Sequence, residues 1–180
     1  MKKSLTALIC YTIGLTSLGN AASNREKSSP VNKTEKATFA GGCFWCMQPP
    51  YDRLKGVIST IVGYTGGSKK DPTYEEVSEG GTEHAEPIEI TYDPTQVIYQ
   101  ELLDLFWKNI DPTALNKQFC DIGTQYRSAI FYHNEEQKRL AETSKKKFEK
   151  SGHFGKRIFT EVVPASPFYM AEESDLLTYP

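Results

Sequence analysis

Apolar and polar positions alternate with changing period along this chain, and the changes mark its elements. The short apolar run Ala37-Thr38-Phe39-Ala40 predicts a strand, and the residues from about Phe44 to Leu54 predict a helix. Val57 to Tyr64 is rich in β-branched residues and closes on Gly63 and Gly66-Gly67, so it predicts a strand and then a loop. Ser68 to Glu86 is polar and rich in turn formers, a long loop whose length itself points to function. Ile88 to Tyr92 alternates and stops at Asp93-Pro94, which predicts another strand. Leu102, Leu103, Leu105, Phe106 and Ile110 form one stripe of a helix from about Ile98 to Asn109, ended by Asp111-Pro112. A loop from Thr113 to Arg127 precedes a short strand, Ser128 to Tyr132. Asn134-Glu135-Glu136-Gln137 is a capping-box pattern opening a charged helix that ends near Gly152, and Ile158 to Val163 predicts a last strand.

The resulting order, β-α-β-β-α-β with further elements after it, predicts an α+β fold. We expect a two-layer ferredoxin-like sandwich, a mixed sheet with helices packed on it and long functional loops. Gly63, Gly66 and Gly67 have the wrong spacing for a dinucleotide fingerprint, and no helix follows them.

The first residues follow a different pattern. Lys2-Lys3 precede a mildly apolar stretch from Leu5 to Leu18, and Gly19-Asn20-Ala21-Ala22 follows. Those are the charged, apolar and small-residue regions of a secretory signal peptide, too short and too rich in Ser, Thr and Gly for a membrane span. The predicted organisation is a signal peptide over 1–22, a polar tether over 23–36 and a catalytic domain over 37–180. The expected location is therefore exported, periplasmic or secreted. The net charge of −2 gives no electrostatic case for nucleic acid. Of the 4 cysteines, Cys43, Cys46 and Cys120 lie beyond the leader. An odd number in an oxidising compartment leaves at least one thiol free or in exchange, which points to redox chemistry.

Gly41-Gly42-Cys43-Phe44-Trp45-Cys46 is where that chemistry concentrates. A strand turning through glycines into a helix places unpaired N–H groups and the positive end of the dipole beside the Cys43 sulfur, which favours thiolate. Phe44 and Trp45 are suited to wall an apolar pocket next to it. Cys46 reads equally as the second member of a Cys-x-x-Cys pair and as an inert core residue. Taken singly, Glu86 reads as an exposed carboxylate, His84 as a satisfied loop histidine, Tyr74 and Tyr126 as packing residues, and Asp121 as a turn former.

Together they read otherwise. Gly42-Cys43-Phe44-Trp45, Gly63-Tyr64, Pro72-Thr73-Tyr74, His84-Ala85-Glu86 and Gly123-Thr124-Gln125-Tyr126-Arg127-Ser128 occur in the order and spacing of the A-type peptide methionine sulfoxide reductases, which the chain resembles from about Thr38 to Tyr169. The resemblance implies that Cys43 is the nucleophile and that Phe44 and Trp45 hold the substrate's S-methyl group. It also implies that Glu86, Tyr74 and Tyr126 hydrogen-bond the sulfoxide oxygen and that Asp121 lines the same pocket. The family reduces the S epimer of methionine sulfoxide, free or in proteins. It binds no cofactor or metal and draws electrons from thioredoxin or a similar dithiol, so the implied role is protein repair under oxidative stress by a monomer.

A protonated carboxyl held among aromatic rings is chemically apt, because a sulfoxide sulfur is a poor electrophile until its oxygen is protonated. Attack then leaves a sulfenic acid on Cys43, which a second thiol condenses to a disulfide. Many relatives carry that thiol in a C-terminal tail, whereas Ala171 to Pro180 contains no cysteine here. Cys120 and Cys46 are the remaining candidates, with an external thiol as a third possibility; Cys120 is favoured because it adjoins Asp121, which the resemblance places in the pocket, whereas a 43–46 pair one turn apart must satisfy disulfide geometry at the helix start. Two further readings compete. One is a thiol–disulfide oxidoreductase using Cys43 and Cys46, and the other a zinc module whose single Cys-x-x-Cys half lacks a partner pair.

Overall fold

The computed structural model describes residues 33–171, so the leader, most of the tether and the last nine positions, 172–180, lie outside the described residues. Its strands are β1 (Glu35–Gly41), β2 (Val57–Tyr64), β3 (Pro87–Tyr92), β4 (Lys117–Gln118), β5 (Asp121–Ile122), β6 (Ser128–Tyr132), β7 (Glu161–Pro164) and β8 (Tyr169–Met170). The helices are α1 (Phe44–Asp52), α2 (Tyr74–Glu79), α3 (Tyr99–Lys108) and α4 (Glu135–Ser151), with a 3-10 turn over Thr124–Tyr126.

The main sheet runs β7-β6-β1-β3-β2-β8. Its centre, β6-β1-β3-β2, is antiparallel throughout. Threaded through α1 and α3, this is the expected ferredoxin-like βαββαβ unit. β7 joins β6 in parallel after the α4 crossover, and β8 closes antiparallel on β2, which makes the sheet mixed as anticipated.

β1 is buried on both faces because its side chains alternate between two clusters. Phe39 enters the main core beside Tyr51, Tyr99 and Phe106, with ring centroids 5.2–6.0 Å apart. On the other face, Ala40 joins Ala85, Ala129 and Phe131. Helix α3 buries Leu102, Leu103 and Phe106 of the predicted stripe and adds Trp107, while Leu105 is half-buried and Ile110 is buried beyond the helix end. Trp107 then ties α4 down by donating from Nε1 to Ser144 Oγ at 3.0 Å.

The departures from expectation have local causes. Pairing of Glu35 and Lys36 with Tyr92 and Thr91 starts β1 within the predicted tether. Helix α1 stops at Asp52 rather than Leu54, since Pro49 and Pro50 bring no N–H to its second half. The loop over 68–86 contains α2, capped by a reciprocal box: Glu76 N–H donates to Thr73 Oγ1 at 3.4 Å, and Thr73 N–H donates to Glu76 Oε2 at 3.0 Å. At α4 only half of the predicted box forms. Gln137 N–H donates to Asn134 Oδ1 at 2.9 Å, but the Gln137 Oε1 accepts from His133 N–H instead. The last strand is Glu161–Pro164 rather than 158–163, and Ile158 is buried ahead of it.

Candidate active site

Strand β1 delivers the chain to the site, and Gly42 turns it. Its φ of +94° is a left-handed conformation, and a Cβ there would lie 2.7 Å from the Gln118 Cβ, so glycine is required twice over. Cys43 follows as the N-cap of α1, with φ −57° and ψ 123°, outside the helix proper. The N–H groups of the first turn serve two side chains. That of Trp45 and, besides its 3.0 Å bond to the Cys43 carbonyl, that of Cys46 act on the Cys43 sulfur, and that of Phe44 acts on the Glu86 carboxyl. One helix end therefore serves both a nucleophile and an acid.

Those contacts do not make a resting thiolate, contrary to the expectation from sequence. Burial is the larger influence and pushes the Cys43 thiol up to about 11, and the nearby Glu86 and Cys46 raise it further as like charges. At neutral pH Cys43 is a thiol. Glu86, far from exposed, is 2% accessible and is anchored by its own N–H to Gln125 O at 2.9 Å. Burial raises its carboxyl from an ordinary 4.5 to about 7; Asp121 adds to that, while the Phe44 N–H opposes it. Near pH 7 this carboxyl is poised between its two forms.

The remaining predicted residues gather here. Tyr126 is pushed up to about 12, by burial first and then by the charges of Glu86, Asp121, Tyr74 and Cys43, which places all five groups in one neighbourhood. Trp45 stands 6.4 Å from Tyr74 and 5.3 Å from Phe44, ring centre to ring centre. Phe44 is fully buried, so its ring backs Trp45 from within the core. His84 is a satisfied loop histidine: its Nδ1 accepts from Gly67 N–H at 3.1 Å, and its Nε2 lies 2.6 Å from the Lys69 carbonyl.

Both remaining thiols are exposed and free. Cys46 is near enough to Cys43 for its charge to matter, and Cys43 sits at the N-cap, outside the helix proper. Cys120 occupies the turn of the β4–β5 hairpin, two residues after Gln118. Among the described residues no group of three or more His, Cys, Asp and Glu side chains is arranged to hold a metal ion, and no helix is long and apolar enough to cross a membrane. A concavity of about 490 Å³ between the ends of α3 and α4, lined by Trp107, Phe148 and Phe154 among others, contains none of the reactive groups.

Two supporting residues escaped the sequence reading. Gln118 is 1% exposed; its Oε1 accepts from Asp111 N–H at 2.8 Å and its Nε2 donates to Asp111 O at 2.9 Å, fixing the hairpin against Gly42. Gln125 holds Glu86 through its carbonyl while its side chain donates to Ser78 O at 3.0 Å. Only the position of Gln125 inside the Gly123–Ser128 motif hinted at either role.

Comparison with known proteins agrees with this geometry. The family model described as "Peptide methionine sulfoxide reductase" matches residues 35–175. Peptide methionine sulfoxide reductase MsrA of Bacillus velezensis is 53% identical over 140 residues, covering 78% of this chain and 79% of that one. Among solved structures, reduced Mxr1 from Saccharomyces cerevisiae superposes with a TM-score of 0.72 at 32% identity, covering 82% of this chain and 89% of that one. Mxr1 solved in complex with Trx2 gives 0.58 at 24% identity, covering 85% and 91%, a likeness of fold.

Proposed function

The chain belongs to the peptide methionine sulfoxide reductase family, and from that premise we propose that Cys43 attacks the substrate's sulfur while Glu86 protonates its oxygen. The activity is reduction of methionine sulfoxide. The observation that carries the residue roles is the sharing of one helix end, with Trp45 and Cys46 N–H on the thiol and Phe44 N–H on the carboxyl.

The pair holds one proton between them over most of the neutral and mildly alkaline range. At rest that proton is on Cys43; the reactive arrangement has it on Glu86. Transfer serves two ends, since a neutral Glu86 can protonate the sulfoxide and no longer opposes a charge on Cys43. Tyr126 and Tyr74 donate to the same oxygen, and Trp45 meets the S-methyl group. The thiolate's electron pair forms a bond to the sulfoxide sulfur and the sulfur–oxygen bond breaks. The hydroxide released, carrying the proton from Glu86, then bonds to the Cys43 sulfur while the sulfur–sulfur bond breaks with its electron pair on methionine, so methionine is released and Cys43 ends as the sulfenic acid, oxidised by two electrons.

A second thiol then displaces water from the sulfenic acid and forms a disulfide, which a dithiol protein of the thioredoxin kind reduces. Of the two candidates, Cys46 is placed first because its charge acts on Cys43 from the same helix end, and Cys120, in the β4–β5 turn, is the alternative. Mass mapping after one turnover separates them, with a 43–46 link expected and a 43–120 link overturning that order. We assign preference for the S epimer, action on peptidyl as well as free substrate, a monomeric state and a role in repair under oxidative stress to the same reading. The leader over 1–22 supports export; the mature N-terminus, by mass, is expected at Ala22 or Ser23.

The experiment is a single turnover with N-acetyl-methionine sulfoxide of each epimer, without reductant, in the presence of a sulfenic acid trap. The adduct is expected on Cys43 with the S epimer only. Sulfoxide reduction by Cys43→Ser would overturn the assignment.

A further inference from the structure

Two methionines follow the leader, Met47 and Met170, and the fold treats them oppositely. Met47 on α1 is 1% accessible, and its Sδ packs so close to Gly41 that a Cβ there would lie 2.8 Å from it. Met170 on β8 is 67% accessible. A thioether gains oxygen where an oxidant can reach it, and the sulfoxide formed is polar. Water tolerates that polarity and a core does not. Met170 is the methionine of the described domain that an oxidant reaches, and it can carry the oxygen without disturbing the packing.

Register fixes which way its side chain points. Met170 pairs with Gly63 and Tyr169 with Tyr64, and paired residues share a face of the sheet. Tyr169 and Ala171 pack with the main core, as do Val62 and Tyr64 on the facing strand, so Met170 between them turns to the opposite face. Helix α1, which Cys43 caps, lies on the core face, where Phe44 meets Tyr64 with ring centres 6.1 Å apart. Met170 and α1 are therefore on opposite sides of the sheet.

The backbone keeps them apart. Ala171 is 3% accessible and its N–H donates to Val62 O at 3.0 Å, so the strand is held on both sides of Met170. To bring Met170 to its own Cys43, β8 would have to leave β2 and take Ala171 out of the core. Another molecule meets no such obstacle, because β8 is the last strand in the sheet order and Met170 stands at that rim.

We propose that Met170 is a site of oxidation on this protein and also a substrate for it, reduced by Cys43 of a second copy. This rests on Cys43 and Glu86 being the reaction site. A lone pair of the Met170 sulfur attacks one oxygen of hydrogen peroxide; the sulfur–oxygen bond forms and the oxygen–oxygen bond breaks. The departing hydroxide takes the proton from the transferred oxygen and leaves as water, so the sulfur is oxidised and the peroxide reduced by two electrons. The second copy returns Met170 to the thioether by the steps given above, and a dithiol restores that copy.

The test uses Cys43→Ser protein as the substrate, treated with hydrogen peroxide, freed of it and read by peptide mass mapping. Met170 is expected to gain one oxygen roughly tenfold faster than Met47. A catalytic amount of unaltered protein with dithiothreitol is then expected to remove about half of it, since peroxide makes both epimers and one is taken. With dithiothreitol alone the oxygen is expected to stay. Unaltered protein oxidised in the same way should clear its own Met170 with a rate constant that rises in proportion to protein concentration. Met170→Leu should lose the oxidised product and reduce N-acetyl-methionine S-sulfoxide as the parent does. Equal oxidation of Met47 and Met170, or a Met170 oxygen that unaltered protein leaves in place, would overturn the proposal. So would a clearance rate constant independent of concentration, which would mean that each molecule repairs itself. N-acetyl-methionine S-sulfoxide in the same tube separates the two readings: if it too survives, the reaction site itself is refuted.

Discussion

Two walls meet at the candidate site, and they are built oppositely. The first is the end of β1, the start of α1 and Glu86, embedded in the core: Phe44 is 0% and Glu86 2% accessible. The second is the β4–β5 hairpin, two strands of two residues each, with a turn that projects Phe119 into solvent. Burial tunes the first wall, lifting Cys43 to about 11 and Glu86 to about 7, so chemistry resides there. The second contributes a single charge to the reaction, that of Asp121, and an apolar surface that chemistry does not need. Tuning a proton requires exclusion of water, which the first wall provides and the second does not.

Substitutions on the buried wall are therefore expected to act on the reaction and to act strongly. Cys43→Ser should abolish sulfoxide reduction, read as methionine formed in a single turnover. Glu86→Gln should slow that step by about 10²–10⁴-fold near neutral pH, the usual weight of a general acid. The same variant should gain stability at alkaline pH. A carboxyl raised from 4.5 to about 7 on folding holds its proton longer in the folded state, so stability falls as pH rises through that window. Glutamine has no charge to bury, and urea unfolding at pH 8 should show it more stable by roughly 1–3 kcal/mol. A Gln variant less stable than the parent at pH 8 would mean that Glu86 is held as a carboxylate.

Smaller effects probe the junction between the walls. Gly42→Ala forces a left-handed alanine and a Cβ into Gln118, and should cost about 1–3 kcal/mol in the same unfolding measurement. Unchanged stability would show the hairpin to be unattached to the nucleophile's turn. Asp121→Asn removes the charge that helps hold the Glu86 carboxyl up, so the inflection it causes in the pH–rate profile should move below 7. An inflection that stays in place would remove the exposed wall from the chemistry altogether.

The sequence was most legible where period and function coincide. The α3 stripe follows burial of one face, β3 keeps its alternation although Glu89 on its other face is buried too, and both elements stand within one residue of their predicted bounds. The cluster of Cys43, Glu86, Tyr74, Tyr126 and Asp121 was readable because motif residues keep their spacing. What was not readable depends on environment. No residue pattern reveals that burial outweighs two N–H contacts at Cys43, or that Glu86, which reads as an exposed carboxylate, is 2% accessible. Helix α2 went unnoticed although Thr73-Tyr74-Glu75-Glu76 is a capping box, since the surrounding polar residues suggested a loop. The exposure of Phe119 and Ile122 was hidden for the opposite reason, because an apolar residue in a sequence suggests core until its exposure is known.

The most direct test of the central claim, that the proton Cys43 surrenders is the one Glu86 delivers, is the pH dependence of single-turnover reduction. It is measured at low concentrations of N-acetyl-methionine S-sulfoxide from pH 5.5 to 9.5 for the parent and for Glu86→Gln. Moving one proton within the pair leaves its total unchanged, so the parent's rate should rise to about pH 7 and then stay level. The variant can form thiolate only by losing a proton to water, and its slower rate should climb about tenfold per pH unit with no inflection near 7. A parent rate that keeps climbing above pH 7, or an inflection shared by both proteins, would contradict the account.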